Sequence, residues 1–510
     1  MAPTDLPLLR LLLLTILLLV QTTTASNSPP MGPRRRPVPP SGKPDTRVFT
    51  PDAQLKENLA RAPAERKPAF VRMPVRRNTV NGTGRWKHGI HWDGTPGERE
   101  RERGKRDGRG APNISRDVVG RQRVGNGSIE MAGERPRVPE RQTNTYGYKW
   151  GWEHLWDIGG IAYSIPLEIG TPPQTVMVFM DTGSYELWVN PRCNTSASPE
   201  ICANHGQYYP DKSNTSKFVA NGFHVKYGMG EAVGHYFRDV IGIAMFILPA
   251  VQFAVASDTE YTFTGIFGLG YASSASMSYP PILEWLIHEQ LIYGKIFSIG
   301  LGSNGDEFCE IIFGGVNRHK FAGYLEPVAI WPPVKEQSPY WIQYWINATS
   351  VGMTKDGEKP FVWTRKDAFN MPVMLDTGST LSYIREDLVA VIGQQFDAWI
   401  EGTRTYRVDC SWKEKKGTVD FGFNKGRMVI NISYRDFVWE MFKGHCFLGV
   451  QPADEGSTSY VLGNTFIRAA YLVFDQQSDI IWMNQYYNCG DGVVTVGVNP
   501  MDIGNIRGAC

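Results

Sequence analysis

The sequence predicts an all-β protein made of two lobes related by a pseudo-two-fold axis, with a few short helices. From about residue 150 onward, short β-branched and aromatic runs alternate with clusters of Gly, Pro, Asn and Asp. This pattern is typical of many strands joined by tight turns. Helical patterns are scarce, and the two best lie at 281–290 and 385–399. An internal repeat divides the predicted strands between two lobes of one architecture.

The repeat is an apolar strand followed by Asp-Thr-Gly-Ser, which occurs at 181–184 and again at 376–379. At ordinary residue frequencies, a given tetrapeptide is expected about 0.01 times in a chain of this length. In each copy an apolar-apolar-Gly segment follows, and its central residue lies 86 positions after the Asp, at Phe267 and at Leu462. Two copies of one lobe explain these equal offsets, whereas a coincidence of turns does not.

The net charge of +2 conceals two parts of opposite charge. Residues 26–149 hold 27 Lys and Arg against 13 Asp and Glu, a net charge of +14, while residues 150–510 hold 25 against 37, a net charge of −12. Pro, Gly and Arg dominate the basic part, so we expect most of it to be disordered. It is interpreted as a nucleic-acid tail, a solvated linker or a removable pro-segment that covers the acidic part, and the opposite charges favour the pro-segment.

The amino-terminal segment helps to choose among these interpretations of the basic part. Residues 8–20 form an apolar run followed by small residues, which is the pattern of a signal peptide cleaved near Ala25. The alternative is a membrane anchor, but the run is shorter than the ~20 residues that a span needs. We therefore expect a secreted or extracellular protein, with a vacuole or the cell wall as alternatives. It would have no stable membrane span and no nucleic-acid partner.

Secretion fits the cysteines and the glycosylation sequons. Seven cysteines predict disulfide bonds and one residual thiol. The chain has no Cys-x-x-Cys pair and its nine histidines are scattered, so we expect no metal site and no cofactor. Several Asn-x-Ser/Thr sequons occur, and the glycosylation candidates in the two predicted lobes are Asn194, Asn214, Asn347 and Asn431.

Two Asp-Thr-Gly loops facing each other across a two-fold axis have a chemistry that one alone lacks. A lone Asp-Thr-Gly is usually a turn. Paired loops bring Asp181 and Asp376 together, and two close carboxylates share one proton at acidic to neutral pH. One can act as a base toward water while the other acts as an acid toward a carbonyl oxygen. Hydroxyl bonds and sharp glycine turns would support this pair, and the residues expected to provide them are Thr182, Gly183, Ser184, Thr377, Gly378 and Ser379.

From about residue 162 to 484 the sequence resembles the pepsin-like aspartic proteases. The motifs that carry the resemblance are 169–174, 181–189, 225–230, 313–317 and 461–468. The resemblance implies a bilobal pepsin-like fold and a monomeric aspartic endopeptidase that acts on protein or peptide substrates without a covalent intermediate. It also implies a flap hairpin with Tyr227, Gly228 and Met229 over the substrate cleft, with Trp188 as the partner of the flap tyrosine. The implied disulfides are Cys193–Cys202 and Cys410–Cys446.

The amino-terminal leader, the charge distribution and the repeat together predict a division of the chain into a signal peptide at 1–25, a basic, largely disordered pro-segment at 26–145 and catalytic lobes at 146–335 and 336–510. The pro-segment would inhibit the enzyme of the same chain, with its best inhibitory strand at 68–77. Arg141 is one of several candidate cleavage points, and Lys149 is a weak candidate for the family's inhibitory lysine.

Some residues depart from the family pattern. Tyr185 and Glu186 stand where small polar residues are usual, and the junction at 331–344 has no clear counterpart. Cys309, Cys489 and Cys510 have no assigned pairing; a bond between the last two would leave the first alone.

Three alternatives remain open at this stage. Glu231 is interpreted as a solvated turn residue or as a group that biases a subsite toward basic side chains. The alternative function is an inactive pepsin-fold binding or inhibitor protein. The third alternative is a basic secreted adhesion module in which the enzyme-like part is incidental.

Overall fold

The computed structural model describes residues 71–76 and residues 160–510 with several gaps. The gaps are 190–192, 197–198, 229, 245, 263, 273–276, 304–307, 331–342, 365–368, 459, 498 and 500. The predicted signal peptide, Arg141, Lys149 and Met229 therefore lie outside the described residues.

The described residues form 29 strands, β1 to β29, and the sequence-based prediction of an all-β fold is confirmed. In chain order the strands are Val71–Arg76, Ser164–Ile169, Gln174–Asp181, Leu187–Val189, Lys217–Lys226, Glu231–Ile243, Phe246–Glu260, Gly265–Gly268, Ile296–Gly300, Phe308–Phe313, Gly315–Asn317, Ala322–Tyr324, Glu326–Ala329, Trp345–Lys355, Phe361–Val362, Met371–Leu375, Ser382–Ile384, Trp399–Glu401, Thr405–Val408, Gly417–Phe423, Met428–Ser433, Trp439–Phe442, His445–Phe447, Val450–Pro452, Tyr460–Leu462, Ala470–Asp475, Ile480–Gln485, Val493–Thr495 and Arg507–Ala509.

Helices are short and few in the same part of the chain. The α-helices α1 to α6 are Pro199–Asn204, Ile282–His288, Glu386–Gln395, Tyr434–Phe437, Asn464–Ile467 and Met501–Asn505. Single 3₁₀ turns occur at Cys193–Thr195, Pro210–Lys212, Arg318–Lys320, Cys410–Glu414 and Asn424–Gly426. Helices α2 and α3 lie within the two segments with the best helical patterns, and none of the described helices is long and apolar enough to cross a membrane.

The first lobe is built on a seven-stranded sheet with the order β2-β3-β8-β4-β7-β6-β5. Most of its pairs are antiparallel, but β3 pairs with β8 in parallel, and Asp181 at the end of β3 lies opposite Gly268. The long hairpin of β5 and β6, which we call the flap hairpin (residues 217–243), forms the edge of this sheet.

The second lobe repeats this arrangement in an eight-stranded sheet with the order β21-β20-β14-β16-β25-β17-β24, in which the eighth strand, β15, pairs with β14. Strand β16 pairs with β25 in parallel, and Leu375 lies opposite Leu462. The corresponding pair in the first lobe is Met180 and Phe267. The residue before each Asp thus faces the centre of the apolar-apolar-Gly segment, so the two equal sequence offsets reflect one parallel pairing used twice.

A six-stranded sheet with the order β1-β10-β9-β26-β27-β13 contains strands from both halves of the chain. Strand β1 lies within the range predicted for an inhibitory strand and pairs antiparallel with β10, with Val71 opposite Phe313. Buried side chains of both lobes and of this sheet form one continuous hydrophobic core.

The residues after 485 form a carboxyl-terminal extension that packs against this region. Strand β28 pairs with β11, and β29 pairs with β12. Val496 and Ile503 of the extension join a second apolar cluster that contains the buried Trp482. Cys489 and Cys510 are disulfide-bonded and so close the extension on itself. Cys309, on β10, is buried and takes part in none of the three disulfides.

Candidate active site

The two Asp-Thr-Gly loops lie face to face. Asp181 is 6% exposed, and its carboxyl group lies against that of Asp376, with Oδ1 of each directed toward the glycine of the other loop. The loops approach so closely that a Cβ on Gly183 would lie 2.7 Å from Oδ1 of Asp376, and one on Gly378 would lie 2.7 Å from Oδ1 of Asp181. Since real Cβ atoms do not approach oxygen this closely, glycine is required at both positions.

Each carboxylate is held in the same way by its own loop. The backbone N–H of Gly183 donates to Oδ1 of Asp181 at 2.8 Å, and the backbone N–H of Gly378 donates to Oδ1 of Asp376 at 2.8 Å. The second oxygen of each carboxylate accepts a serine hydroxyl, at 2.5 Å for Asp181 and 2.7 Å for Asp376, from the residues Ser184 and Ser379. The inner oxygens therefore face each other while the outer ones are fixed.

Two threonines bond reciprocally from loop to loop. The backbone N–H of Thr182 donates to Oγ1 of Thr377 at 3.0 Å, and the reverse bond is also 3.0 Å. Each hydroxyl then donates to a strand of the opposite lobe, Thr182 to the carbonyl of Leu375 at 2.8 Å and Thr377 to that of Met180 at 2.9 Å. Both threonines are fully buried. Four hydrogen bonds thus fix one catalytic loop relative to the other.

The electrostatics of the pair follow from burial and proximity. Burial raises the pKa of Asp181 far above its ordinary value, and the negative charge of Asp376 raises it further. Hydrogen bonds from Ser184 and from the N–H of Gly183 oppose this rise only in part. The pair therefore retains one proton where isolated aspartates would both be ionised.

The flap hairpin places a tyrosine close to this pair. The N–H of Tyr227 donates to the carbonyl of Gly230 at 2.9 Å and closes the turn that contains Gly228. The Tyr227 hydroxyl accepts a hydrogen bond from Nε1 of the fully buried Trp188 at 2.6 Å. Burial raises the pKa of Tyr227, as does the nearby negative charge of Asp181. The predicted partners Tyr227 and Trp188 are thus in contact beside the carboxylates.

Glu231, at the end of the flap turn, is ion-paired on the protein surface. Its Oε2 lies 3.1 Å from Nζ of Lys226 and 3.3 Å from Nε2 of His224. The hydrogen bond from Lys226 is the largest cause that lowers the pKa of Glu231. Of the two interpretations of this residue, the surface one agrees better with these contacts.

Two site residues were not predicted from the sequence. Nε2 of Gln343 donates to the carbonyl of Gly183 at 2.5 Å, from the junction that has no clear counterpart in the family pattern. Nδ2 of Asn464 donates to the carbonyl of Thr377 at 3.2 Å. The unusual junction at 331–344 was the sequence signal that could have indicated Gln343. Asn464 lies inside the motif at 461–468, which could have indicated it.

The other predicted site residues lie away from the carboxylates. Disulfides join Cys193 to Cys202 and Cys410 to Cys446. The sequon residues Asn194, Asn214 and Asn431 are exposed, whereas Asn347 on β14 is partly buried.

A disulfide also accounts for the single group of metal-ligating side chains found in the described part of the chain. The group contains Cys410, Glu440 and Cys446. Its two sulfurs are bonded to each other, so they offer no thiolate to a metal.

Removing one threonine hydroxyl from between the loops should destabilise the protein. Thr182→Val deletes the bond to the Leu375 carbonyl and leaves the buried N–H of Thr377 without its acceptor. We expect a loss of about 2–4 kcal/mol in the free energy of unfolding, measured by urea titration. Thr175→Val is the matched control, because its hydroxyl bonds Glu168 at an exposed position. Equal stability of the two variants would contradict this account.

Comparison with known proteins agrees with this geometry. A family model described as "Eukaryotic aspartyl protease" matches residues 162–485. A probable aspartic-type endopeptidase opsB of Aspergillus fumigatus is 27% identical over 384 residues, covering 72% of this chain and 76% of that protein. Aspartic proteinase yapsin-3 of Saccharomyces cerevisiae is 30% identical over 336 residues, covering 61% of this chain and 64% of that protein.

A solved structure supports the fold. The crystal structure of an aspartic proteinase from Irpex lacteus superimposes with a TM-score of 0.52 at 19% identity, covering 65% of this chain and 96% of that one. The two lobes predicted from the repeat, and the pepsin-like fold that the resemblance implies, are therefore confirmed. With the family match spanning most of the chain, we conclude that the chain belongs to the eukaryotic aspartyl protease family and is an aspartic-type endopeptidase.

Proposed function

We propose that the chain hydrolyses peptide bonds at acidic pH with a water molecule activated by Asp181 and Asp376. The observation that carries this proposal is the contact between the two carboxyl groups, each bound by its own loop in the same way. In the singly protonated pair, the ionised carboxylate takes a proton from water as the water attacks the scissile carbonyl. The protonated carboxyl donates its proton to the carbonyl oxygen, which gives a tetrahedral diol that is not bonded to the protein. The carboxyl that took the proton from water then passes it to the peptide nitrogen as the C–N bond breaks, and the other carboxylate takes a proton back from the diol, so the amine and the carboxylic acid are released and the singly protonated pair is restored.

The flap hairpin completes the proposed site. A peptide would lie extended across both lobes beneath Tyr227, and closure of the flap would exclude bulk water from the carboxylates. The bond from Trp188 fixes the Tyr227 hydroxyl on the side of the cleft that faces Ser184. No metal or organic cofactor takes part in this mechanism.

The alternative is an inactive protein of the same fold that binds peptides or inhibits other enzymes. Loss of a carboxylate or of the flap tyrosine would favour that alternative. This chain has both carboxylates, both serines and Tyr227 in hydrogen-bonded positions, so activity is the better supported function.

Replacing either carboxylate should abolish activity without unfolding the protein. Asp181→Asn and Asp376→Asn each remove the acid or the base, so we expect kcat to fall by about 10²–10⁴-fold. Cleavage of a protein substrate at acidic pH measures this loss. Asp387→Asn is the control, because that carboxylate is exposed and pairs only with Arg385 at the surface. Proteolysis at the wild-type rate in either dyad variant would contradict the mechanism.

We further propose that the chain is made as a secreted zymogen that acts as a monomer. Residues 1–25 would be the signal peptide, 26–145 the inhibitory pro-segment, and 146–335 and 336–510 the two lobes. The proposal is supported by the opposite charges of the two parts and by the pairing of β1 with β10 in the six-stranded sheet. Protonation of carboxylates at low pH would weaken the attraction between the +14 and −12 parts and so promote release.

Secretion is the localisation that these features support best. A similar protein of Candida albicans, 29% identical over 355 residues, is named secreted aspartic protease 4. The exposed sequons at Asn194 and Asn214 are the best placed for glycans, since both lie on surface turns. Retention in a vacuole or at the cell wall remains an alternative to free secretion.

Acidification should shorten the full-length chain from its amino terminus. We expect the purified wild-type protein to lose the basic region after incubation at low pH, with a new amino terminus between about residues 141 and 150. Amino-terminal sequencing identifies the cut. The Asp181→Asn variant should remain full length under the same conditions, because the cut depends on the chain's own activity. A fully active wild-type protein that keeps its basic region would contradict the zymogen proposal.

A further inference from the structure

Glu186 lies just beyond the first catalytic loop and is a partly buried carboxylate that the proposed mechanism does not use. Its Oε1 accepts the hydroxyl of Tyr279 at 2.7 Å, and Tyr236, whose ring packs on that of Tyr279, lies near enough to lower the pKa of the same carboxyl group. Burial raises the pKa of Glu186, and the two tyrosine hydroxyls oppose that rise. The carboxylate is therefore held by one hydrogen bond from Tyr279, with Tyr236 packed beside that tyrosine.

The two tyrosines come from different segments of the first lobe. Tyr236 lies on β6, within the flap hairpin, opposite Ala254 of β7. Tyr279 lies in the segment that precedes helix α2. Their rings are in contact, with centroids 5.7 Å apart. Glu186 thus connects the catalytic loop to the flap hairpin and to a second segment at a single point.

This point borders a small apolar cluster beneath the flap, which we call the flap-base cluster. Its buried members are Trp188, Phe223, Ala232, Ala254 and Ala256, and they form a group separate from the main core. Tyr236 packs on the cluster through Phe223 at 5.7 Å. The backbone ladder between β6 and β7 holds the base of the hairpin to the sheet. The small cluster and the polar contact at its edge then position the side chains on which the flap rests.

The catalytic loop provides a rigid anchor for this bond. Thr182 is fixed to the opposite lobe by the reciprocal hydrogen bonds, and Gly268 of β8 donates its N–H to the carbonyl of Glu186 at 3.1 Å. A Cβ on Gly268 would lie 2.4 Å from the backbone N of Glu186, so the loop and β8 are in close contact here. The backbone of Glu186 is thus held while the flap tip must move to admit a peptide.

We propose that Glu186 is a positioning residue that ties the base of the flap hairpin to the catalytic loop and so sets how firmly the flap closes over a bound peptide. This inference rests on the proposed role of the flap hairpin. When Tyr236 is held against the carboxylate, Tyr227 at the tip of the same hairpin stays within reach of Trp188. Without the carboxylate, Tyr279 and Tyr236 lose their anchor, the flap tip is positioned less firmly over the catalytic loop, and a bound peptide loses contacts. The chemistry at the dyad remains unchanged.

The test compares two substitutions of one residue in the full chain. Glu186→Leu removes both acceptor oxygens, and we expect KM for a long peptide substrate to rise about five- to tenfold while kcat stays within about twofold. Glu186→Gln keeps an acceptor oxygen at the same place, so KM should return to within about twofold of the wild-type value. Glu386→Gln is the matched control, because Glu386 is an exposed carboxylate on α3 of the second lobe that pairs with Arg404 at the surface, and it should leave both constants unchanged.

Two further variants keep the inference testable if Glu186→Leu does not fold. Tyr279→Phe and Tyr236→Phe each delete one hydroxyl donor, and each should raise KM about threefold with kcat unchanged. Wild-type KM in all three variants, or an equal rise for Glu186→Leu and Glu186→Gln, would overturn the inference. Failure of the dyad mechanism would be recognised separately, as activity retained in Asp181→Asn, whatever the value of KM in these variants.

Discussion

The active site depends on the reciprocal hydrogen bonds between Thr182 and Thr377. Two carboxylates repel each other when both are ionised, and burial makes that repulsion stronger. The threonine bonds hold the loops together against this repulsion, at a position where water cannot compete for them. Because two ionised carboxylates at this distance would repel each other strongly, we expect the pair to share one proton. The acid and the base of the proposed reaction therefore arise from one geometric constraint.

The repeated fold supplies that constraint from both sides. In each lobe a strand ends at the catalytic loop and pairs in parallel with the apolar-apolar-Gly segment, at Met180 with Phe267 and at Leu375 with Leu462. The threonine hydroxyls reach across to the carbonyls of Leu375 and Met180, the residues that precede the two aspartates. Each lobe thus positions the carboxylate of the other as well as its own.

The sequence predicted the parts of the site that are local and repeated. The Asp-Thr-Gly-Ser loops, the equal offsets and the Tyr-Gly-x-Gly turn have fixed spacing, so the residues around Asp181 and Asp376 were found without coordinates. Two contacts could not be predicted, that of Gln343 with Gly183 and that of Glu186 with Tyr279. Each joins segments far apart in the chain and follows no periodic pattern. The same reason applies to the packing of Ile503 in the carboxyl-terminal extension against Trp482.

The pH dependence of kcat/KM for the wild-type enzyme tests the proposed shared proton most directly. Because the raised pKa of Asp181 belongs to a coupled pair, activity requires the singly protonated state. The rate should therefore fall on both sides of an acidic optimum. It falls at low pH as the base is protonated, and at higher pH as the second proton is lost. A profile that stays flat into the alkaline range, or that shows a single ionisation, would contradict a proton shared by two carboxylates.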